Sequence, residues 1–271
     1  MRTRTILRWS WPVVACLGLV AAAVGWADRT GRLRRGVSAA LAAAQAPARV
    51  RATVPDDGRY TFVRLRWRPD GGRARGFWSS AWDHDYPRAE QHLVRILAEV
   101  TLLDVHLDGS RVLTLDDPDL FRYPIAFMWE PGFWTMSDAE ALAFRAYLLK
   151  GGFAIFEDFD GPSQWANFEA QIRRVIPGAR FVRLTREHPL FRSFFEVRDL
   201  DAIVHPMNGM RPSYLGVFED NDPARRLLLV ANFDNDVPEY WEWSGQGLFP
   251  FDASNEAYKL GVNYVVYGYT H

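Results

Sequence analysis

Two acidic residues directly follow a short apolar run near the middle of the chain, and a third lies two positions further on. The apolar run is residues 153–156, and the acids are Glu157, Asp158 and Asp160. Crowded carboxylates shift one another's pKa values or bind a hard cation. We therefore take Glu157 and Asp158 as candidates for general acid–base catalysis or for binding a divalent cation. The alternative is a solvated loop in which Asp160 caps the next helix.

Other acidic residues follow other predicted strands. Because the carboxyl ends of parallel strands meet at one edge of a sheet, where ligands bind, these side chains are expected to share a rim with Glu157 and Asp158. The additional rim acids are Asp116, Asp117, Glu130, Asp234 and Asp236. A turn is the favoured alternative for Asp116 and Asp117 before Pro118, and also for Asp234 and Asp236.

Aromatic residues accompany the rim acids, and the chain contains 11 tryptophans. Aromatic faces beside carboxylate acceptors are typical of sugar-binding surfaces and other polar ligand sites. The candidate ligand-binding residues are therefore Glu130, Trp134, Asp160 and Trp165.

Two histidines offer a base or a metal ligand. His188, before Pro189, is the candidate catalytic partner of the carboxylates, although a histidine in such a loop is usually structural. His84 lies between Asp83 and Asp85, a sequence in which a carboxylate can orient the ring. There Asp85 is equally explained as a helix cap and His84 as a surface residue.

Predicted strands and helices alternate along the chain. Residues 60–67 alternate like a strand, with Arg64 and Arg66 on its polar face, and residues 125–129 form a continuous apolar run. Ser137 and Glu140 form a capping box that begins a helix. This alternation predicts an α/β fold with a mostly parallel sheet and helices on both faces, flavodoxin-like and a single domain.

Residues 123–129 and 148–156 resemble the class I glutamine amidotransferase-like superfamily, especially its trehalose-utilisation-protein-like branch. Residues 60–271 more closely resemble a bacterial family of exported proteins described as a domain of unknown function. The resemblance implies a fold and export, but no activity. The matching segments are residues 85–90, 113–124, 156–159, 188–191 and 260–267.

The catalytic pattern of that superfamily is not present. Amidotransferases carry a cysteine in a Gly-x-Cys-x-Gly turn where this chain has residues 157–161, Glu-Asp-Phe-Asp-Gly. The only cysteine is Cys16, near the N-terminus. Glutamine hydrolysis through a cysteine is therefore excluded.

The N-terminus resembles a targeting signal. Arg2, Arg4 and Arg8 precede an apolar run over residues 11–26, so we interpret residues 1–27 as a signal peptide or signal anchor. Residues 28–58 are predicted to be a linker and residues 59–271 the α/β domain. We expect an exported protein, either periplasmic or anchored in the inner membrane and facing the periplasm, with membrane association through this segment if it is uncleaved.

The formal net charge of −1 argues against nucleic-acid binding. Two functions remain open, and the sequence does not decide whether the protein is an enzyme. One is an envelope-associated binding domain for an envelope glycan or an envelope protein complex. The other is a hydrolase that acts on a glycan or other envelope substrate through carboxylates or a divalent cation. A purely structural role in an envelope assembly is a third hypothesis.

Overall fold

A seven-stranded sheet forms the centre of the computed structural model, which describes residues 57–69 and 81–271. Two short strands, β2 (Arg68–Pro69) and β5 (Trp134–Thr135), pair separately. The strands of the main sheet are β1 (Tyr60–Leu65), β3 (Val105–Leu113), β4 (Ile125–Trp129), β6 (Phe153–Phe159), β7 (Val182–Arg183), β8 (Ser213–Phe218) and β9 (Leu227–Phe233).

The sheet order is β3-β1-β4-β6-β9-β8-β7. Neighbours from β3 to β9 pair in parallel, whereas β8 is antiparallel to both β9 and β7. The five parallel strands therefore have the order of flavodoxin-like doubly wound sheets. The predicted α/β fold with a mostly parallel sheet is confirmed.

Helices cover both faces of the sheet. On one face, Leu93, Trp241 and Leu260 pack with the apolar side of β4 and β6. On the other face, Phe144 and Phe168 pack against Phe156. The α-helices of the described residues are α1 (Arg88–Val100), α2 (Asp138–Leu149), α3 (Gly161–Val175), α4 (Val237–Glu242) and α5 (Phe251–Thr270).

Most predicted elements occur close to their expected bounds. Strand β4 is entirely buried, and Ser137 and Glu140 form the capping box that begins α2. The sequence also predicts a short strand over residues 111–115, whereas β3 begins earlier, at Val105. It predicts no helix over the residues of α4.

The predicted targeting segment, residues 1–27, lies outside the described residues, as does nearly all of the predicted linker. None of the helices in residues 57–69 and 81–271 has the length and apolar character needed to cross a membrane.

Candidate functional site

The candidate site lies where the order of the parallel strands reverses. The chain leaves β1 towards β3 on one side and then returns to β4 on the other side. In such sheets this switch creates a crevice at the carboxyl ends of the strands, where ligands bind. His84 and Asp85 follow β1, Glu130 follows β4, Asp158 is near the end of β6, and Asp236 follows β9.

His84, Glu130 and Asp158 form the most compact group at this edge. The Nδ1 atom of His84 lies 2.9 Å from Oε1 of Glu130 and 3.5 Å from Oδ2 of Asp158. One potential ligand atom from each residue lies within 4.8 Å of the other two. The side chains of His84 and Asp158 are 15% and 14% exposed, so solvent reaches the group. One imidazole and two carboxylates are a ligand set suited to a divalent cation such as Mn²⁺ or Zn²⁺.

Two further groups of carboxylates continue from this one. Asp85, Asp158 and Asp236 form the second group, with the same 4.8 Å spacing between ligand atoms. The third consists of Asp85 with Glu239 and Glu242 from α4. Because Asp158 and Asp85 are shared, the three groups form one carboxylate cluster. We use this name for Asp85, Glu130, Asp158, Asp236, Glu239 and Glu242.

The backbone that presents several of these side chains has an unusual conformation. Asp85, Glu130 and Asp158 have φ values of 60°, 50° and 60°, in the left-handed region that residues other than glycine seldom adopt. Asp234, next to the cluster in sequence, has a φ of 58°. Such residues persist only where the surrounding structure holds them, and they concentrate at functional sites.

Arg64 holds the loop that carries His84 and Asp85. Its guanidinium is fully buried and pairs with Glu90 of α1, with Nε to Oε1 at 2.9 Å and Nη2 to Oε2 at 2.7 Å. Its Nη1 atom donates to the carbonyl oxygens of Trp82 and His84, at 3.1 and 2.9 Å. These hydrogen bonds from Arg64 fix the backbone of the loop at Trp82 and His84.

The ring of Trp129 completes this support. The Arg64 guanidinium carbon lies 3.5 Å from the centre of the Trp129 ring, and Nε1 of Trp129 donates to Oδ2 of Asp85 at 2.8 Å. Arg64 therefore pairs with α1 rather than with the acidic rim, whereas Arg66 is exposed.

Burial and mutual repulsion raise the pKa values of Asp85, Glu130, Asp236, Glu239 and Glu242. Burial, followed by the charge of Asp158, raises the pKa of Glu130 to about 8 and that of Asp85 to about 6. Burial, followed by the charge of Asp85, raises the pKa of Glu239 to about 9 and that of Glu242 to about 7. The pKa of Asp236 is raised for the same reasons. A bound cation would relieve this repulsion.

The pKa of His84 reflects two opposing effects. Burial disfavours the imidazolium, but hydrogen bonds to Asp158 and Glu130 favour it more strongly and raise the pKa to about 11. At neutral pH the ring therefore carries a proton between the two carboxylates. A metal ion that binds Nδ1 must replace this proton.

Glu157 and Asp158, the candidates for catalysis and metal binding, lie in different environments. Asp158 belongs to the carboxylate cluster. Glu157 is fully buried, and its Oε1 accepts a hydrogen bond from Asn232, which in turn accepts one from Tyr264 at 2.8 Å. Burial raises the pKa of Glu157 well above its ordinary value. It does not belong to any of the three groups with metal-ligand spacing among the described residues.

The third candidate, His188, lies away from the cluster. Its ring contacts Phe218 and Tyr267, each at 5.8 Å between ring centres, and Tyr267 contacts Phe153. Phe153 begins β6, whereas Asp158 is near its end, about 16 Å along the strand. The structure therefore does not bring His188 to Asp158. His188 lies near the start of β6, where it precedes a short 3₁₀ helix that begins at Pro189.

Of the four candidate ligand-binding residues, only Glu130 belongs to the cluster. Trp134 is fully buried and stacks on Phe156, so its ring does not offer a face to a ligand. Trp165 is partly buried within an aromatic group, 4.9 Å from Phe181.

Asp160 lies beside the cluster rather than within it. Its Oδ2 accepts a hydrogen bond from Asn208 at 2.7 Å and lies 3.7 Å from Nε2 of His205. It occupies the cap position of α3, where its Oδ1 accepts a hydrogen bond from Nε2 of Gln164 at 3.1 Å rather than from a backbone amide of the helix.

Sequence reasoning missed two residues of the cluster, Glu239 and Glu242, and left His84 undecided. The acids of α4 are three positions apart after Asp236, whose Oδ1 caps that helix by accepting from the backbone amide of Glu239 at 3.1 Å. A capping aspartate followed by two glutamates on one helix face is the signal that could have located them.

A family model described as Domain of unknown function (DUF4159) matches residues 61–269. The match includes every residue of the carboxylate cluster, together with His84 and Arg64. A search of curated proteins returned no match to this chain. Because the family model spans well over half of the chain, the protein belongs to the DUF4159 family.

Proposed function

We propose that this protein is a ligand-binding domain in which His84, Glu130 and Asp158 hold a divalent cation. The observation that carries the proposal is the convergence of one nitrogen and two carboxylate oxygens within 4.8 Å of one another. The left-handed backbone at Glu130 and Asp158 supports it, because a strained conformation is maintained at the two positions that would supply oxygen ligands.

The cation would in turn recruit the ligand. Three protein ligands leave further coordination positions of a divalent cation open to water or to an oxygen-bearing ligand. An envelope glycan, or a carboxylate of an envelope protein, has the appropriate oxygen donors. In the proposal, the domain is a binding module and not an amidotransferase, since the described residues contain no cysteine.

Calorimetric titration of the purified protein with Mn²⁺, Zn²⁺, Ca²⁺ and Mg²⁺ tests this function. We expect saturable binding of at least one cation, with one equivalent lost in Glu130→Gln and in Asp158→Asn. Asp116→Asn is the matched control, because Asp116 is an exposed acid that also follows a strand but lies outside the cluster. Binding by none of the four cations, or binding unchanged in both cluster variants, would refute the proposal.

A hydrolase is the second candidate, and the pKa of Glu130 favours it. A carboxyl group with a pKa near 8 is a proton donor at neutral pH, as a general acid requires. Beside it, a cation bound to Asp158 would supply activated water. Release of nitrophenol from chromogenic glycosides and esters in Mn²⁺, abolished in Glu130→Gln but not in Asp116→Asn, would favour hydrolysis over binding alone.

We also propose that the domain acts outside the cytoplasm and shares ancestry with the amidotransferase-like superfamily. The basic residues and apolar run of residues 1–26 support export. The φ of 60° at Asp158 supports the superfamily resemblance, since Asp158 lies near the end of β6, which corresponds to the strand after which amidotransferases carry their cysteine. Fractionation of cells that express the full chain tests the location. Recovery in the cytosol with an intact N-terminus would overturn it.

A further inference from the structure

The carboxylate cluster extends beyond the three residues of the proposed cation site. The third group, Asp85, Glu239 and Glu242, consists entirely of carboxylates, and one oxygen from each lies within 4.8 Å of the others. It shares no residue with the group formed by His84, Glu130 and Asp158. The two are joined by Asp85 and Asp158, whose oxygens also lie within 4.8 Å of each other.

Glu242 provides an independent indication that this group has a ligand. Its side chain is 7% exposed, and its Oε1 atom lies 3.4 Å from Nη1 of Arg88. Its Oε2 atom is buried and has no hydrogen-bond partner among the described residues. A buried carboxylate oxygen without a partner is costly, because it has lost its hydration without replacement. A cation coordinated by that oxygen would remove the cost.

The neighbouring residues fix the positions of all three carboxylates. Trp129 donates to Oδ2 of Asp85, and Arg64 holds the preceding carbonyl, that of His84. Glu239 and Glu242 are one turn apart on α4, whose first turn is capped by Asp236. Arg88 supplies one nearby positive charge, but its side chain is 40% exposed and also lies over the ring of Trp243. Its Nη1 atom is buried beside Oε1, and Arg88 leaves the second oxygen of Glu242 unpaired.

We propose that Asp85, Glu239 and Glu242 form a second divalent-cation site, adjacent to the first and composed only of oxygen ligands. The existence of this second site does not depend on the proposed function. Only the idea that two adjacent cations act together rests on it. Three carboxylates without a nitrogen ligand favour a hard cation such as Mg²⁺, Ca²⁺ or Mn²⁺. Two adjacent cations would together bind a ligand with several oxygens, such as a phosphate or a carboxylate.

The test is the stoichiometry of Mn²⁺ binding, measured by calorimetry and by equilibrium dialysis on the full chain, since Mn²⁺ accepts both ligand sets. We expect two equivalents in the wild type. We expect one equivalent in Glu242→Gln and in Glu239→Gln, and one in His84→Asn. Asp252→Asn, at the exposed start of α5, is the control and should retain two. Glu239 is less buried than Glu242, so its variant provides a second test if Glu242→Gln does not fold.

The outcomes separate the two proposals. One equivalent in the wild type, lost in Asp158→Asn but retained in both Glu239→Gln and Glu242→Gln, would overturn the second site and leave the first. One equivalent lost in Glu242→Gln but retained in Asp158→Asn would overturn the first site and leave the second. No binding of Mn²⁺ to the wild type would overturn both.

Discussion

At the scale of single residues, Glu157 and Asp158 are sequence neighbours with different environments. Side chains alternate between the two faces of a strand, so consecutive acids at the end of β6 cannot both face the same way. Glu157 is buried beside Asn232, whereas the side chain of Asp158 lies next to His84 and reaches solvent. Burial raises the pKa of Glu157 well above its ordinary value and so favours the neutral carboxyl group. Asp158 alone of the pair is placed to bind a cation with His84.

This difference predicts opposite results for two conservative substitutions. Glu157→Gln keeps an oxygen that accepts from Asn232, so we expect the free energy of unfolding to change by no more than about 1 kcal/mol. Cation affinity should also remain. Asp158→Asn should abolish cation binding at the site with His84 and Glu130, so that one equivalent of Mn²⁺ remains, and leave the protein folded. Urea unfolding and calorimetry measure both properties, and loss of cation binding in Glu157→Gln would place Glu157 in the site after all.

The sequence predicts the position of this acidic segment, but not which of its two acids faces the site. Acidic residues after an apolar run are visible in the sequence, and the carboxyl edge of a parallel sheet follows from strand–helix alternation. Which acid faces inward depends on the irregular register of β6 against β9 between Phe156 and Phe159. That irregularity involves β9, which is distant from β6 in the sequence, so local sequence does not predict it.

Arg64 is the residue on which the position of the His84 loop most depends. Arg64→Lys keeps the positive charge but cannot pair with both oxygens of Glu90 and also donate to the carbonyls of Trp82 and His84. We expect it to lower the free energy of unfolding by about 1–3 kcal/mol, the cost of leaving buried polar groups unpaired. Cation affinity should fall as well, because the loop backbone is released.

Arg66→Lys is the control for this change. Arg66 directly follows the same strand, only two positions away, but is exposed, so its variant should resemble the wild type in urea unfolding and in calorimetry. If Arg64→Lys reduced stability but left cation affinity unchanged, Arg64 would contribute to the core without positioning the site.

At the scale of elements, α2 and α4 show why some helices are predictable and others are not. Helix α2 has a capping box and twelve residues, enough to display helical signals in the sequence. Helix α4 has six residues, fewer than two turns, and this is too short for apolar periodicity to appear. Its two glutamates reach the cluster only because α4 packs against α1 and α5. Their convergence with Asp85 therefore could not be read from local sequence.

The contact between α4 and α5 predicts that a change distant from the cluster affects the second cation site. Gly261 of α5 lies against α4, and a Cβ atom there would be 2.7 Å from Cζ2 of Trp241 and 2.8 Å from Cδ1 of Leu93. Gly261→Ala should displace Trp241, which precedes Glu242. The steric cost of about 1–3 kcal/mol should exceed the helix-propensity gain of about 1 kcal/mol.

Urea unfolding and Mn²⁺ titration of Gly261→Ala check this prediction. We expect lower stability and weaker binding of the second equivalent, with the first equivalent less affected. Gly245→Ala is the control, since a Cβ there would meet no heavy atom within 4 Å in the described structure. Equal affinity for both equivalents in Gly261→Ala and the wild type would show that α4 tolerates the shift.

At the scale of the whole molecule, the carboxylate cluster makes folding dependent on protons. The folded protein raises the pKa of Glu130 to about 8 and that of Glu239 to about 9, above the ordinary value of 4.5. It also raises the pKa of His84 from 6.5 to about 11. Each of these groups holds its proton more tightly in the folded state than in the unfolded state. Their stabilising contribution is therefore present at low pH and is lost as the pH rises.

The sign of the pH dependence follows from this difference in bound protons. In a chelating buffer we expect the free energy of unfolding to fall between pH 5 and pH 8, by about 1.4 kcal/mol per pH unit for each excess proton in the folded state. Glu130→Gln should reduce the slope, because the amide cannot ionise. Glu99→Gln, an exposed acid on α1, should leave the slope unchanged.

A cation should reverse this loss of stability, because it supplies positive charge to the same carboxylates without a proton. Added Mn²⁺ should raise the melting temperature more at pH 8 than at pH 5, where protons compete for Glu130 and His84. Melting curves at the two pH values, with Mn²⁺ and with chelator, measure this directly. A melting temperature that rises with pH in chelator would show that the cluster does not retain protons on folding. An equal effect of Mn²⁺ at both pH values would show that the cation binds elsewhere.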